Sequence, residues 1–326
     1  MQQKIKLAVC AAAILAMSGG AANAAPFSAS DLLTGFTNIV LGDLTTGVET
    51  EGTLFVGGDY NGSGSTVNPD GLPNVDLGGG VNGTFIVGGD MNATNVQLQS
   101  GNAQIGGAIN GNVNNNGSGT VSTGVSGVPV ADVTTVLQNL SNDLAANNTN
   151  TPGGTANTAD QNNINFVSGS GDADGIQYFN IAGTVLQTGT FTGITAPAGV
   201  TTIINVGGTN VTVGVNANQQ LDDVLFNFYE ATSLTFNSAF NYSVLAPYAD
   251  VNLGGGGIFG NLVSNNLQQN AEVRPYNDTN NFNGSLPDPS STPVSAPATL
   301  GLMLTGAGII TLLVQRRRPA ATQTEA

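Results

Sequence analysis

Short apolar runs separated by Gly- and Asn-rich turns occupy most of the chain. Leu54-Phe55-Val56, Phe85-Ile86-Val87, Thr201 to Val206, Val224 to Phe228, Leu234 to Phe236 and Ser243 to Ala246 are typical. Runs of this length, rich in β-branched and aromatic residues and bounded by turn formers, predict short strands. Two stretches follow a helical period instead. Val133, Val136, Leu137, Leu140 and Leu144 recur at spacings of three and four, with Asp132 near the start, and predict one amphipathic helix over about 130–147. Ser28 to Leu41, with Leu32, Leu33 and Phe36, opens with a shorter helix before Asn38-Ile39-Val40-Leu41 turns to strand. The long helix is expected to cover apolar sheet surface. After it, Asn147 to Asn163 is rich in Asn, Thr and Gly and reads as an exposed loop.

The strand pattern repeats. Gly52-Thr53-Leu54-Phe55-Val56-Gly57-Gly58-Asp59 returns thirty-one residues later as Gly83-Thr84-Phe85-Ile86-Val87-Gly88-Gly89-Asp90, and Gln104-Ile105-Gly106-Gly107-Ala108-Ile109-Asn110-Gly111 is a third echo. Repeated short strands with Gly and Asn turns predict an all-β, parallel β-helix or solenoid-like body with the amphipathic helix packed on it. In such a body Gly and Asn would take the left-handed backbone angles of the corners. A two-sheet sandwich is compatible with the same composition.

The two ends carry a different chemistry. Lys4 and Lys6 precede an apolar run from Leu7 to Met17, and Ala22-Asn23-Ala24 supplies a small-residue cleavage pattern, so 1–24 reads as a signal peptide cut after Ala24. At the far end, Pro293-Val294-Ser295-Ala296-Pro297 is followed by seventeen uncharged residues, Ala298 to Val314, and then Arg316-Arg317-Arg318. At about 1.5 Å per helical residue the span reaches roughly 26 Å, the lower limit for crossing a hydrocarbon core. The arginines would stay on the cytoplasmic side. This tail resembles the PEP-CTERM tails read by exosortases in Gram-negative bacteria, with Ser295, Ala296 and Pro297 at the sorting-motif position. The expected division is therefore a body over 25–281, a flexible stalk with the motif over 282–297, a transmembrane sorting helix over 298–315 and a basic cytoplasmic tail over 316–326. The chain would be exported, membrane-anchored and then displayed at the cell surface or in the extracellular matrix.

Composition narrows the chemistry of the body. Between Ala25 and Val294 there is no Lys, His or Trp, and Arg274 faces twenty Asp and Glu, a net charge of 1 − 20 = −19. Such a surface repels phosphates, which excludes nucleic acid as a partner. The only cysteine, Cys10, lies in the signal segment, so the mature body has neither disulfide nor thiol. Without His, Cys or Lys the usual general base and the usual thiol and amine nucleophiles are missing, and no catalytic residue is assigned. Adjacent Asp222 and Asp223 would point to opposite faces of a strand, an unsuitable pair for glycoside cleavage.

Calcium is the one ion the sequence suggests, and no other cofactor is expected. Asp172-Ala173-Asp174-Gly175 places two carboxylates at positions one and three of a turn, as oxygen-ligand loops do, but lacks the later bidentate Glu. Asp59 and Asp90, after paired glycines, read as turn acids bonding local amides. Thr188-Gly189-Thr190-Phe191-Thr192 is a local Thr run. Ice binding would require one Thr position repeated over many levels.

Asn38-Ile39-Val40-Leu41-Gly42-Asp43 with Val48 to Asp59, and the closing Ser243 to Val251 with Gly260 to Leu267, resemble the bacterial surface family called choice-of-anchor A. The resemblance runs from about Ser28 to about Asn277. It implies a β-helical, adhesin-like surface domain with an exchangeable sorting tail and an exosortase-like protease as partner, and it carries no catalytic residue. The leading reading is a non-enzymatic surface protein contacting extracellular matrix polysaccharide or other surfaces. The alternatives are a ligand- or ice-binding solenoid and a carboxylate-dependent polysaccharide-degrading enzyme.

Overall fold

The computed structural model describes residues 27–147 and 151–287. The signal segment with Ala22 and Ala24, the motif Ser295 to Pro297, the 298–315 span and Arg316 to Arg318 lie outside the described residues. Among the described residues no helix is long and apolar enough to cross a membrane.

The body is mostly β, with parallel sheets and two α-helices, α1 (Ala29–Gly35) and α2 (Val130–Ala146). Its main sheet joins ten strands in one path. From one end these are Val121–Thr123, Ala103–Ile105, Phe85–Val87, Leu54–Val56 and Asn38–Val40; then come Leu262–Gln269, Ser243–Leu253, Val224–Asn227, Thr201–Gly207 and Ile176–Ala182. Every pair along that path is parallel. The chain thus begins in the middle of the stack, at Asn38–Val40, and climbs to Val121–Thr123. It then passes through α2 and resumes at the opposite end, at Ile176–Ala182. From there it works back until Leu262–Gln269 pairs with the first strand. Parallel pairing throughout this path removes the antiparallel sandwich from consideration.

Two further parallel ladders run beside the first. One links Asn210–Val213, Ser233–Phe236, the second halves of the two long strands, Leu44–Thr46 and Tyr60–Gly62, and continues through bridges at Met91 and Ile109. The other links Val113–Asn115, Val96–Leu98 and Ser65–Val67, then passes through Thr50 to Val273. A smaller sheet holds Thr155–Asn157, Ile164–Val167 and Phe191–Thr195.

The main ladder is buried on both faces, which explains its unbroken apolar triplets. Val40, Leu54, Val56, Phe85 and Val87 point into one apolar cluster, where Phe226 packs against Phe191, Phe240 and Tyr242. The intervening Ile39, Phe55, Ile86, Val263, Leu245 and Leu225 point the other way, into a second cluster with Leu32 and Leu33 of α1 and Val133, Leu137, Leu140 and Leu144 of α2. The helices therefore cover the sheet, as their apolar stripes require. α1 is closed by a capping box: the Asp31 amide donates to the Ser28 hydroxyl at 3.1 Å, and the Ser28 amide donates to the Asp31 carboxylate at 2.7 Å.

α2 ends at Ala146 with no glycine and no basic residue in its last turn. Its last four carbonyls have no amide four residues on within the helix; that of Leu144 accepts from the Asn147 amide, and a column of asparagines on the sheet reaches the last two turns with further donors. The Asn227 amide donates to the Ser141 carbonyl at 2.9 Å, and Asn205 donates to that of Leu144 at 2.9 Å. Asn180 reaches the Asn147 carbonyl at 3.3 Å. The three side chains also bond to one another, Asn227 to Asn205 at 2.9 Å and Asn205 to Asn180 at 3.1 Å.

The paired glycines of the repeat serve close approach, not the left-handed backbone expected of corners. Gly57 and Gly88 have no positive φ, yet a Cβ on Gly57 would sit 2.1 Å from the Leu41 carbonyl oxygen and one on Gly88 2.3 Å from that of Gly57. Side chains there would force the levels apart. The body also extends beyond 281, where the stalk was expected to begin. Phe282 is buried, the Asn283 amide donates to the Asp222 carbonyl at 2.7 Å, and the Ser285 amide donates to the Thr201 hydroxyl at 2.6 Å.

Candidate functional site

The second ladder presents one continuous outward column. Strand alternation buries Leu44, Tyr60, Met91, Val211, Leu234, Val251 and Leu267 and turns the following residue of each outward. The pairings place those seven residues in line with Asn110, which follows the partly buried Ile109, over eight levels: Thr212, Thr235, Asn252, Gln268, Thr45, Asn61, Asn92 and Asn110. At about 4.8 Å per level the column spans roughly 34 Å. None of the eight side chains is charged. Asn92 donates to the Asn61 side-chain oxygen at 3.0 Å, and Asn110 donates to that of Asn92 at 2.7 Å, which fixes these amides in one orientation. Beside the column, the third ladder turns Thr66, Gln97 and Asn114 outward in the same manner.

An acidic column runs along the adjoining corner. The Asp59 amide donates to the Asp43 carboxylate at 2.8 Å, the Asp90 amide to Asp59 at 2.8 Å, and the Ala108 amide to Asp90 at 2.7 Å. Asn266 continues it, accepting from the Asp43 amide at 2.8 Å and donating to Asp250 at 2.8 Å. These acids bond the amide of the equivalent residue one level away, not the local turn amides that the Gly-Gly-Asp motif suggested. They tie levels together where strand pairing lapses at the corner. The series ends on Ala108, the last level that carries the corner.

Asp172 and Asp174 sit in an exposed turn where one Asp172 oxygen accepts from the Asp174 amide at 3.0 Å and the Ile176 amide at 2.9 Å. Among the described residues, the groups of three acids close enough to share a cation are Glu49, Glu51 and Glu272, and Glu51, Asp70 and Asp278. Arg274, the cation of the body, is planted among them, 3.0 Å from Glu51 and paired with Glu272, its guanidinium 5.1 Å from the Phe259 ring centre. Burial pushes the Glu51 carboxyl up to about 7, outweighing the nearby Arg274, and the surrounding acids push the same way. Burial raises Asp70 and Asp223 as well. A carboxyl whose value is higher in the folded chain than its ordinary 4.5 stabilises the fold fully below about 4.5, and that contribution fades as pH rises through about 7. The melting temperature is expected to be higher at pH 5 than at pH 8. Glu51→Gln is expected to flatten that slope and raise stability at pH 8, by less than the full linkage value because solvent screens part of the carboxyl's interactions. Thermal melts across that range check this, and an unchanged slope in the variant would remove Glu51 as its source.

The local Thr188 to Thr192 run leads into the Phe191–Thr195 strand of the smaller sheet, where the Thr192 hydroxyl donates to Asn163 at 2.7 Å, and contributes nothing to the outward column. The column did leave a trace in the repeat. Asn61, Asn92 and Asn110 each stand two residues after the corner position of Gly-Gly-Asp, Gly-Gly-Asp and Gly-Gly-Ala.

The family model described as "Putative Ice-binding-like adhesive domain" matches residues 29–275. No curated protein and no solved structure gives a match.

Proposed function

Because the chain belongs to this family of ice-binding-like adhesive domains, we propose that it is a non-enzymatic surface adhesin whose three parallel ladders form the sides of one β-solenoid. Its contact surface is the outward column from Thr212 to Asn110, and its ligand is extracellular polysaccharide or another surface with a regular spacing of hydroxyls. The observation that carries this reading is the column itself: eight uncharged hydroxyl and amide side chains in register, part of them held in one orientation by mutual hydrogen bonds. Each amide offers both a donor and an acceptor, and each hydroxyl does too. A row of weak contacts at fixed spacing gains strength by simultaneous engagement.

Display would come from the two ends. The signal peptide exports the chain, an exosortase-like protease reads Ser295 to Pro297, and the 298–315 span holds the chain in the membrane, in the arrangement that the choice-of-anchor A resemblance implies. The chemistry of the body supports a binding role, since its one cation is engaged with Glu51 and Glu272 and no His, Cys or Lys is present between Ala25 and Val294.

Retention of the full-length chain on insoluble cellulose and chitin tests the column. Thr45→Lys with Asn61→Lys places two charges at its centre without touching the core, and is expected to abolish most retention while leaving the melt unchanged. Retention equal to that of the unaltered chain would refute the assignment. The in-line hydroxyls and amides, with threonine at three of the eight levels, also admit a second reading, ice as the surface. In that case the same variant would lose thermal hysteresis while polysaccharide retention would be absent from the start.

A further inference from the structure

Away from the column, the body carries a recessed groove of about 610 Å³ between α1, the 72–76 loop and the 279–283 segment. That volume lies in the range of sites that enclose a small ligand. Both long walls are fixed from beneath. Asn281 accepts from the Thr37 hydroxyl at 2.8 Å and donates to the Thr34 carbonyl at 3.1 Å, and the Phe282 amide donates to Asn261 at 2.6 Å. Their neighbours Asn280 and Asn283 are exposed and line the groove. On the other side, buried Asn68, itself left-handed with φ 54°, holds the start of the loop, accepting from the Leu72 amide and donating to the Leu72 carbonyl at 2.9 Å each. Asn74 is pinned in turn by accepting from the Asn102 amide at 2.9 Å.

The lining mixes apolar surface from Leu72 and Val75 with amides and the carboxylates of Asp31 and Asp76, and among the described residues it contains no cation. We propose that this groove binds a neutral oligosaccharide. Pyranose rings present apolar C–H faces and a rim of hydroxyls that donate and accept, which the apolar patches and the paired donor and acceptor of each Asn side chain match. Acidic sugars, phosphates and carboxylate ligands are repelled by Asp31 and Asp76 with no guanidinium or ammonium to offset them. Walls anchored before the ligand arrives keep the ordering cost of binding low. The groove shares no residue with the outward column, so it gives the body a second, single-chain contact that goes beyond the adhesive face.

Titration calorimetry of the full-length chain with cellohexaose, chitohexaose and hexagalacturonate tests the proposal. At least one of the two neutral sugars is expected to bind saturably, and hexagalacturonate is not. Asn280→Ala with Asn283→Ala is expected to weaken that binding about tenfold, as loss of two hydrogen bonds of ordinary net strength would. Val75→Trp, which fills the space from the opposite wall, should weaken it as well, whereas Asn61→Lys on the column should leave it unchanged. The proposal is overturned if neither neutral sugar binds, if the acidic sugar binds as tightly, or if both groove variants keep full affinity.

Discussion

Leu245→Ala is expected to lower the stability of the body by about 2–5 kcal/mol, the usual cost of truncating a fully buried leucine. Leu245 lies at the centre of the main ladder, paired in register with Asn227 on one side and Val263 on the other. Its side chain is fully buried in the cluster that joins the sheet to Leu137, Leu140 and Leu144 of α2. Collapse around the lost atoms is restricted from both directions, because the neighbouring levels are held at fixed spacing by the ladder and α2 is held by the asparagine column. Thr45→Ala, on an exposed face of the second ladder, is expected to stay within about 0.5 kcal/mol. Denaturant unfolding of both variants provides the check, and equal midpoints would overturn the placement of Leu245 in the core.

The strands of that core were legible because burial on both faces leaves unbroken triplets such as Leu54-Phe55-Val56, which no surface strand would keep in water. The helix at 130–147 was legible for a similar reason, and it ends one residue earlier than its spacing predicts. Partnership was not legible. Nothing in Asn38-Ile39-Val40 says that its neighbours are Leu54–Val56 on one side and Leu262–Gln269 on the other. Sequential strands are neighbours on most occasions, and only the passage through α2 to the far end of the stack makes the first and last levels meet. The corner acids show the same limit. Asp59 was visible as a turn residue, but the amide it accepts from belongs to Asp90, thirty-one residues on.

Burial of polar groups was hidden for the same reason. The Pro, Ser and Asn content after 281 resembles a stalk, yet Phe282 fills the core once Asn261 has captured its amide. Glu51 has no local feature to distinguish it from Glu49. Its environment is made by Asp70, Glu272, Arg274 and Asp278, which the fold gathers from distant segments. The groove is likewise built from 72–76 and 279–283, two loops some two hundred residues apart.

Asn227→Leu is expected to be nearly as damaging as truncation in the core, at about 2–4 kcal/mol, although it keeps the branching of the side chain and adds apolar surface. Asn227 is fully buried and makes three bonds: it donates to the Ser141 carbonyl and to Asn205, both at 2.9 Å, and accepts from the Ser141 hydroxyl at 2.6 Å. Leucine keeps the branching, but its methyl groups cannot approach to the 2.6–2.9 Å of these bonds, and it leaves the Asn205 side-chain oxygen and the Ser141 hydroxyl without this partner; each buried polar group left without a partner costs about 1–3 kcal/mol. The effect should be local to the seam between α2 and the sheet, so amide exchange is expected to accelerate first in the last two turns of α2. A double-mutant cycle isolates the cause. Combined with Ser141→Ala, which removes the stranded hydroxyl, Asn227→Leu should cost less than the sum of the two single changes. Strict additivity would show that the asparagine column packs against α2 without holding it, and the account of how this helix ends would fail.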